Sequence, residues 1–124
     1  MEPPHHKSRM KRRTAANYLK THRRRSGLTQ REMGELLGYN DSGQVSRHER
    51  SMSLPSLTTA LAYECIFRVP VAVLFVGLNG NTNENIESKL QQMQTELQER
   101  SALDSDAELV AQKLVWLKER RNRK

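Results

Sequence analysis

The strongest constraint on the fold is a short helix whose two ends can both be recognised in the sequence. Thr29 and Glu32 have the spacing of a capping box, in which each side chain accepts the backbone amide of the other residue. Gly38 follows at a position where a left-handed residue ends a helix. The apolar face between these ends comprises Met33, Leu36 and Leu37. The pattern predicts a short amphipathic helix, and Gly34 predicts that another helix approaches it closely.

Further helices are predicted on both sides of this one. Residues 15–26 are expected to be helical and to end at Gly27 as a left-handed cap. Another helix is expected after Pro55, with apolar positions at Leu57, Ala60, Leu61, Tyr63, Ile66 and Phe67. A short helix is predicted around Leu74 and Phe75. Together with the helix described next, these segments predict an all-α fold with a compact core of five short helices.

The segment after Gly38 predicts the remaining helix of the core. This helix is expected to start at Asp41 or Ser42 and to end at Arg50. Asn40 or Asp41 would cap it. Val45 and His48 are three residues apart and lie on one side of this helix. Two short helices joined by a tight, glycine-containing turn are typical of proteins that insert a helix into the major groove of DNA.

The composition divides the chain into four segments. Residues 1–14 form a basic arm, and residues 15–78 form the helical domain that contains the two-helix motif. Residues 79–85 are polar and are predicted to be a linker. Residues 86–124 are predicted to be a helical tail.

The tail shows two apolar runs at helical spacing. The first run comprises Ile86, Leu90, Met93 and Leu97, and the second comprises Leu103, Ala107, Val110, Leu114 and Leu117. A slip between residues 101 and 106 indicates a new helix start, so a helical hairpin is the first structural interpretation. The runs also suit a homodimer interface, which we favour for function, or a groove for another protein. Trp116 would anchor such an interface.

Basic residues are concentrated at the start of the chain, which has 124 residues and a formal net charge of +7. Against the single acid Glu2, the first 31 residues carry Lys7, Arg9, Lys11, Arg12, Arg13, Lys20, Arg23, Arg24, Arg25 and Arg31. The phosphate backbone of a nucleic acid is the expected partner. A solvated basic face is the alternative. Within the arm, Arg12 and Arg13 are candidates for a minor groove, and an arm that only aids solubility is the other possibility.

Several function classes find no support in the sequence. No apolar run approaches the roughly 20 residues of a membrane span, and the N-terminal residues lack the apolar core of a secretion signal. A cytoplasmic protein without membrane association is therefore expected. Cys65 lies in an apolar stretch and is expected to be a buried thiol. No metal-ligand spacing or glycine-rich phosphate loop occurs, so we expect neither enzyme activity nor a cofactor nor a metal site.

The spaced residues of the helical domain resemble the Cro and lambda-repressor type of helix-turn-helix regulators, also called XRE-like. The resemblance covers about residues 15–78. It is carried by LKTHR at 19–23, GLTQREMGELLG at 27–38, VSRHER at 45–50, PSL at 55–57, and the pair Leu74 and Phe75. The resemblance implies a lambda-repressor-like domain in a prokaryotic or phage-like regulator that recognises a specific sequence of double-stranded DNA. It further implies a repressor that binds a palindromic operator as a dimer.

The resemblance also implies which residues contact DNA. Gln30, at the N-terminal end of its helix, matches a phosphate-contacting glutamine. Gln44 is expected to pair with adenine, and Arg47 with guanine or a phosphate. The recognition-helix positions are Ser42, Gly43, Gln44, Ser46 and Arg47. Further candidate contacts are Arg24, Arg31, Asp41 and Arg50.

Arg23 and Glu49 are implied to form a partly buried ion pair that orients the two-helix motif. Two other functions stay open. One is the DNA-binding antitoxin of a toxin–antitoxin pair, on which the sequence is silent. The other is a protein-interaction module that keeps the helix-turn-helix as a scaffold, against which the basic start of the chain argues.

The sequence departs from the family pattern at three places. One extra residue lies between Gly38 and Val45, so the turn or the first helical turn must bulge, and the register of residues 41–44 is open by one position. His48 replaces a large apolar residue, and Glu64 replaces a small one. Both replacements are expected at the edge of the core.

Overall fold

The computed structural model describes residues 16–100 and 106–123, and all regular structure in these residues is helical. The helices are α1 (Leu19–Arg25), α2 (Gln30–Leu37), α3 (Gly43–Glu49), α4 (Leu57–Phe67), α5 (Val71–Leu74), α6 (Val76–Arg100) and α7 (Ala107–Asn122). The all-α prediction is therefore confirmed for this part of the chain. None of the helices described has the length and apolar character needed to cross a membrane. The predicted arm, with Arg12 and Arg13, and Leu103 of the tail lie outside the described residues.

The chain divides into two compact units, residues 1–81 and residues 82–124. The core of the first unit consists of Leu19, Met33, Val45, Ala60, Tyr63, Leu74 and Phe75. Its first described residues are joined to α5 and the start of α6: the Tyr18 amide donates to the carbonyl of Leu74 at 2.8 Å, and the Gly77 amide donates to the carbonyl of Ala16 at 2.9 Å. These bonds close the first unit.

The helix ends of the first unit follow from local hydrogen bonds. The Glu32 amide donates to Thr29 Oγ1 at 3.0 Å, and the Thr29 amide donates to Glu32 Oε1 at 2.9 Å, which confirms the capping box. Gly27 and Gly38 have positive φ angles of 75° and 91°, as expected of residues that end helices. Helix α1 begins at Leu19 rather than near residue 15, because the Leu19 amide donates to Asn17 Oδ1 at 3.0 Å.

Several apolar residues of the predicted helices are exposed. Leu36 is 58% exposed, because Met33 and Leu37, four residues apart, occupy the part of α2 that contacts the core. On α4, Ala60 and Tyr63 are buried, whereas Leu57, Leu61 and Cys65 follow a spacing of four along another face and are exposed. The prediction of a buried Cys65 thiol is wrong for this reason.

Helix α6 continues without interruption from Val76 to Arg100, so residues 79–85, for which a linker was predicted, are helical. This segment contains no proline, and Gly80 costs a helix only about 1 kcal/mol relative to alanine. Polarity alone therefore does not break the helix there.

In the second unit, α7 packs against the adjoining part of α6 as a helical hairpin. Leu97 of α6 is buried with Val110 and Leu117 of α7, and Leu90 and Leu114 are partly buried against them. Glu87 and Arg120 form an ion pair at 2.6 Å across the hairpin. Four described residues of the predicted seams or anchor do not take part in this core and are exposed: Ile86, Met93, Ala107 and Trp116.

Candidate nucleic-acid interface

The turn that joins α2 to α3 begins at Gly38, the glycine that caps the C-terminal end of α2. The Tyr39 amide donates to the carbonyl of Gly34 at 2.8 Å, and the Gly38 amide donates to that of Glu35 at 3.1 Å. These two bonds, with left-handed Gly38 between them, have the pattern of a Schellman motif. The chain therefore reverses direction immediately after α2.

Gly34 permits a close contact between α2 and this turn. A Cβ atom at Gly34 would lie 2.6 Å from the carbonyl oxygen of Asp41, so any other residue requires the turn to shift. A neighbouring helix was predicted at this position, and the neighbour is instead the backbone of the turn. The absence of a side chain at Gly34 thus permits the short distance between α2 and the turn that leads into α3.

Helix α3 starts at Gly43, after the residues predicted to begin it. Ser42 precedes it without a side-chain capping bond. The Gly43 amide donates to Asp41 Oδ1 at 2.9 Å, so the side chain of Asp41 satisfies an amide of the first turn. Residues 39–42 form the connection, and the longer segment between Gly38 and Val45 is accommodated there. Helix α3 itself is regular.

A buried carboxylate connects α3 to α1 and α2. Glu49 accepts from Arg23 Nε at 2.5 Å, from Arg23 Nη2 at 3.2 Å and from Gln30 Nε2 at 3.0 Å. Arg23 Nη1 also donates to the carbonyl of Leu28 at 2.8 Å. The implied pair of Arg23 and Glu49 is present, and Gln30 is a third member that the sequence did not predict. The network orients three elements around the end of α3.

The other side of α3 is fixed by a buried aromatic pair. His48 is buried, and its Nδ1 lies 2.9 Å from the Tyr63 hydroxyl of α4. Burial, with a smaller contribution from the charge of Arg47, lowers the pKa of His48 below its ordinary value. The same burial raises the pKa of Tyr63. His48 was expected at the edge of the core, and it lies inside the core.

Two polar contacts that the sequence did not predict complete the framework. Asn17 Nδ2 donates to the carbonyl of His48 at 3.0 Å, which joins the residues before α1 to the end of α3. Glu64 Oε1 accepts the Val71 amide at 2.8 Å and so satisfies an orphan amide at the start of α5. The carboxylate of Glu64 therefore has a specific backbone partner.

The proposed DNA contacts differ in exposure. The exposed residues are Arg24, Arg31, Asp41, Arg47 and Arg50, and the half-buried ones are Gln30, Ser42, Gly43, Gln44 and Ser46. Two of these side chains border Gly43 at the start of α3, since a Cβ atom at Gly43 would lie 3.2 Å from Asp41 Oδ1 and 3.6 Å from Arg47 Nη2. Arg31 pairs loosely with Glu35 at 3.9 Å, and both side chains face solvent.

The outward side of α3 consists of side chains that can form hydrogen bonds. Val45 and His48 face inward and are buried. Glu49 is held by Arg23 and Gln30, so the other side chains of this helix are Gln44, Ser46 and Arg47. An amide and a guanidinium are the groups that contact adenine and guanine edges in the major groove. The geometry is therefore suited to a nucleic-acid surface.

No family model matches this chain, and no curated protein and no solved structure shows significant similarity to it.

Proposed function

We propose that this chain is a sequence-specific regulator of transcription that binds double-stranded DNA, and that it acts as a repressor on a palindromic operator as a homodimer. In this proposal α1 to α5 are a lambda-repressor-like domain, and α2 and α3 are its helix-turn-helix. The observation that carries the proposal is the polar outer side of α3, fixed against α2 by the contact between Gly34 and the Asp41 carbonyl.

The geometry of α3 supports insertion into a major groove. The groove is about as wide as one helix, and the N-terminal turn of a recognition helix contacts the base edges. Gln44 lies in the first turn of α3, and Arg47 follows three residues later, in the next turn. Arg23, Gln30 and Glu49 brace the other end of α3, so its angle to α1 and α2 is fixed before DNA binds. Such preorganisation reduces the free energy lost on ordering the interface.

The charge distribution supports a phosphate backbone as the partner. Residues 1–81 contain 13 lysines and arginines against 6 acids, a net charge of +7, which equals that of the whole chain. Residues 82–124 contain 8 of each and are neutral. The long-range attraction to DNA would therefore originate in the unit that contains α3.

Selection of binding sites from a random pool of duplex DNA tests this proposal. The full chain is expected to enrich one motif whose two halves are related by two-fold symmetry, with half-site centres about 10 base pairs or a multiple apart. An enriched motif without that symmetry would retain sequence-specific binding and exclude the palindromic dimer. Recovery of no motif at moderate salt would overturn the proposal and favour a protein-interaction module.

A further inference from the structure

The helical hairpin of the second unit leaves much of its apolar surface uncovered. Among its described residues, 82–100 and 106–123, three side chains form the buried core: Leu97, Val110 and Leu117. Five large apolar side chains of the hairpin are between 42% and 56% exposed, namely Ile86, Met93, Leu109, Val115 and Trp116. Small units with so few buried side chains commonly obtain further stability by association. The exposed set also includes methionine and tryptophan, which are enriched at protein interfaces.

The exposed side chains are arranged in the same way on both helices. On α6, Leu90 and Leu97 are seven residues apart and face α7, whereas Ile86 and Met93 are also seven apart and are exposed. On α7, Val110 and Leu117 are seven apart and buried, whereas the residues immediately before them, Leu109 and Trp116, are exposed. Residues seven apart align along a helix. Each helix therefore has one covered stripe and one exposed stripe beside it.

The charges of the two helices indicate which surfaces can pair. Residues 82–100 carry four glutamates against Lys89 and Arg100, a net charge of −2. Residues 107–122 carry two glutamates against four lysines and arginines, a net charge of +2. The observed pair of Glu87 and Arg120 follows this complementarity within one chain. Between two chains, α6 against α6 would oppose like charges, whereas α6 against α7 opposes unlike charges.

We propose that a second copy of this chain covers the exposed stripes, and that the contact is reciprocal. The stripe of Ile86 and Met93 in each copy packs against the stripe of Leu109 and Trp116 in the other, which gives a four-helix bundle with two-fold symmetry. This inference deepens the proposed function, on which it rests for its biological role, because it names the surface that would join two DNA-binding units.

Paired charge variants of the full chain test the reciprocal contact. One variant carries Ile86→Glu and Met93→Glu, and the other carries Leu109→Lys and Trp116→Lys. The control is Val115→Lys, which changes an equally exposed side chain outside the two stripes. Multi-angle light scattering during size-exclusion chromatography gives the mass of each species, and circular dichroism verifies that the helices are retained.

The wild type and the control are expected to be dimers, and each double variant alone is expected to be a monomer with unchanged helix content. An equimolar mixture of the two variants is expected to return to the mass of a dimer. In that mixed dimer, one contact pairs glutamates with lysines and the other contact is wild type. A monomeric wild type, a control as disruptive as the variants, or a mixture that stays monomeric would each overturn the inference.

The DNA-binding proposal fails on a different readout. If the mass measurements give the expected pattern but the pool selection recovers no motif, the reciprocal dimer is supported and the proposed function is contradicted. If the wild type is monomeric but still enriches a motif, sequence-specific binding stands and the dimer falls. The two variants keep α1 to α5 unchanged, so they also report how much operator affinity depends on pairing.

Discussion

At the start of α3, two oppositely charged side chains border the space that a side chain at position 43 would fill. The Asp41 carboxylate and the Arg47 guanidinium both lie beside the Cα of Gly43. The carboxylate also accepts the Gly43 amide, so it is fixed by the backbone. The fixed carboxylate attracts the guanidinium and so biases the direction in which it points, and a bidentate contact with guanine depends on that direction.

Arg47→Ala is expected to change which sequence is bound. Loss of a bidentate contact with guanine removes about 1 to 3 kcal/mol of discrimination at one base pair. Arg24→Ala is the matched control, because this exposed arginine of α1 is proposed to contact phosphate and its loss weakens all sequences alike. Affinities for a panel of single-base operator variants separate the two effects. Equal losses across the panel for Arg47→Ala would contradict its role in base recognition.

His48→Gln is expected to flatten the pH dependence of stability. Burial lowers the pKa of His48 below its ordinary value of 6.5, so the unfolded chain binds this proton more readily than the folded chain. The contribution of neutral His48 to the free energy of unfolding is therefore complete above pH 6.5. It declines as the pH falls from 6.5 toward the lower pKa of His48 in the folded state.

Urea denaturation at about pH 7.5 and about pH 5.5 measures this effect, because other titrating groups are the same in both proteins. The wild type is expected to lose more free energy of unfolding between the two pH values than His48→Gln does. Glutamine keeps a polar group near Tyr63 without titrating. An equal loss in both proteins would show that His48 does not contribute to acid sensitivity.

Among the elements, α2 lies so close to the connection before α3 that it leaves no room for a side chain at Gly34. Gly34→Ala is expected to destabilise the first unit, because the new Cβ would lie 2.6 Å from a backbone oxygen. Overpacking of this kind costs up to about 3 kcal/mol, which exceeds the gain of about 0.5 to 1 kcal/mol in helix propensity. The control is Gly80→Ala in α6, where nothing lies within 4 Å.

Gly80→Ala is expected to stabilise its helix by about 0.5 to 1 kcal/mol. Thermal and urea denaturation of the two variants therefore give shifts of opposite sign. Stabilisation by Gly34→Ala comparable to that by Gly80→Ala would mean that the turn yields easily, and the fixed position of α3 would then be wrong.

The Glu49 network is expected to behave as one unit. Glu49→Leu leaves the buried Arg23 guanidinium without its carboxylate, which costs about 3 to 5 kcal/mol. The double variant Arg23→Met with Glu49→Leu replaces both charges by apolar groups and is expected to cost less than the sum of the single variants. A double-mutant cycle from urea denaturation measures the difference. Additive losses would show that the two charges are not coupled.

The elements that could be predicted from the sequence are those fixed by neighbouring residues. The capping box of Thr29 and Glu32 and the left-handed Gly27 and Gly38 depend on bonds within one or two turns, and their residue types identify them. The hydrogen bond of Asn17 to the His48 carbonyl and that of Gln30 to Glu49 join residues 31 and 19 positions apart. Residue type and spacing do not identify such partners.

The assignment of buried faces was least accurate where apolar residues surround a helix. On α4, Leu57 and Leu61 are as apolar as the residues that pack inward, so composition could not distinguish the two faces. On α6, the polar composition of residues 79–85 led to the prediction of a linker. Polar residues are equally compatible with a solvated helix, and these residues are helical. Which face of α4 is buried depends on tertiary packing, which composition does not specify.

At the scale of the whole molecule, the complete net charge belongs to residues 1–81. DNA affinity is therefore expected to fall steeply with salt, with a slope of about −0.9 in log K against log salt for each phosphate neutralised. Substitution of exposed arginines in the first unit should reduce the slope by about one each. Arg123→Ala, which removes one charge just after the end of α7 in the neutral second unit, serves as the control. An affinity independent of salt would contradict phosphate contacts.

The exposed Cys65 has a practical consequence, because it is the only cysteine of the chain. A maleimide dye or a nitroxide attached to it marks each copy at one defined point, with no background cysteine to remove. In a symmetric pair of chains, pulsed electron resonance on the labelled protein then yields a single separation between the two labels. Recording that separation with and without operator DNA measures directly how far two copies adjust their spacing when they engage both half-sites.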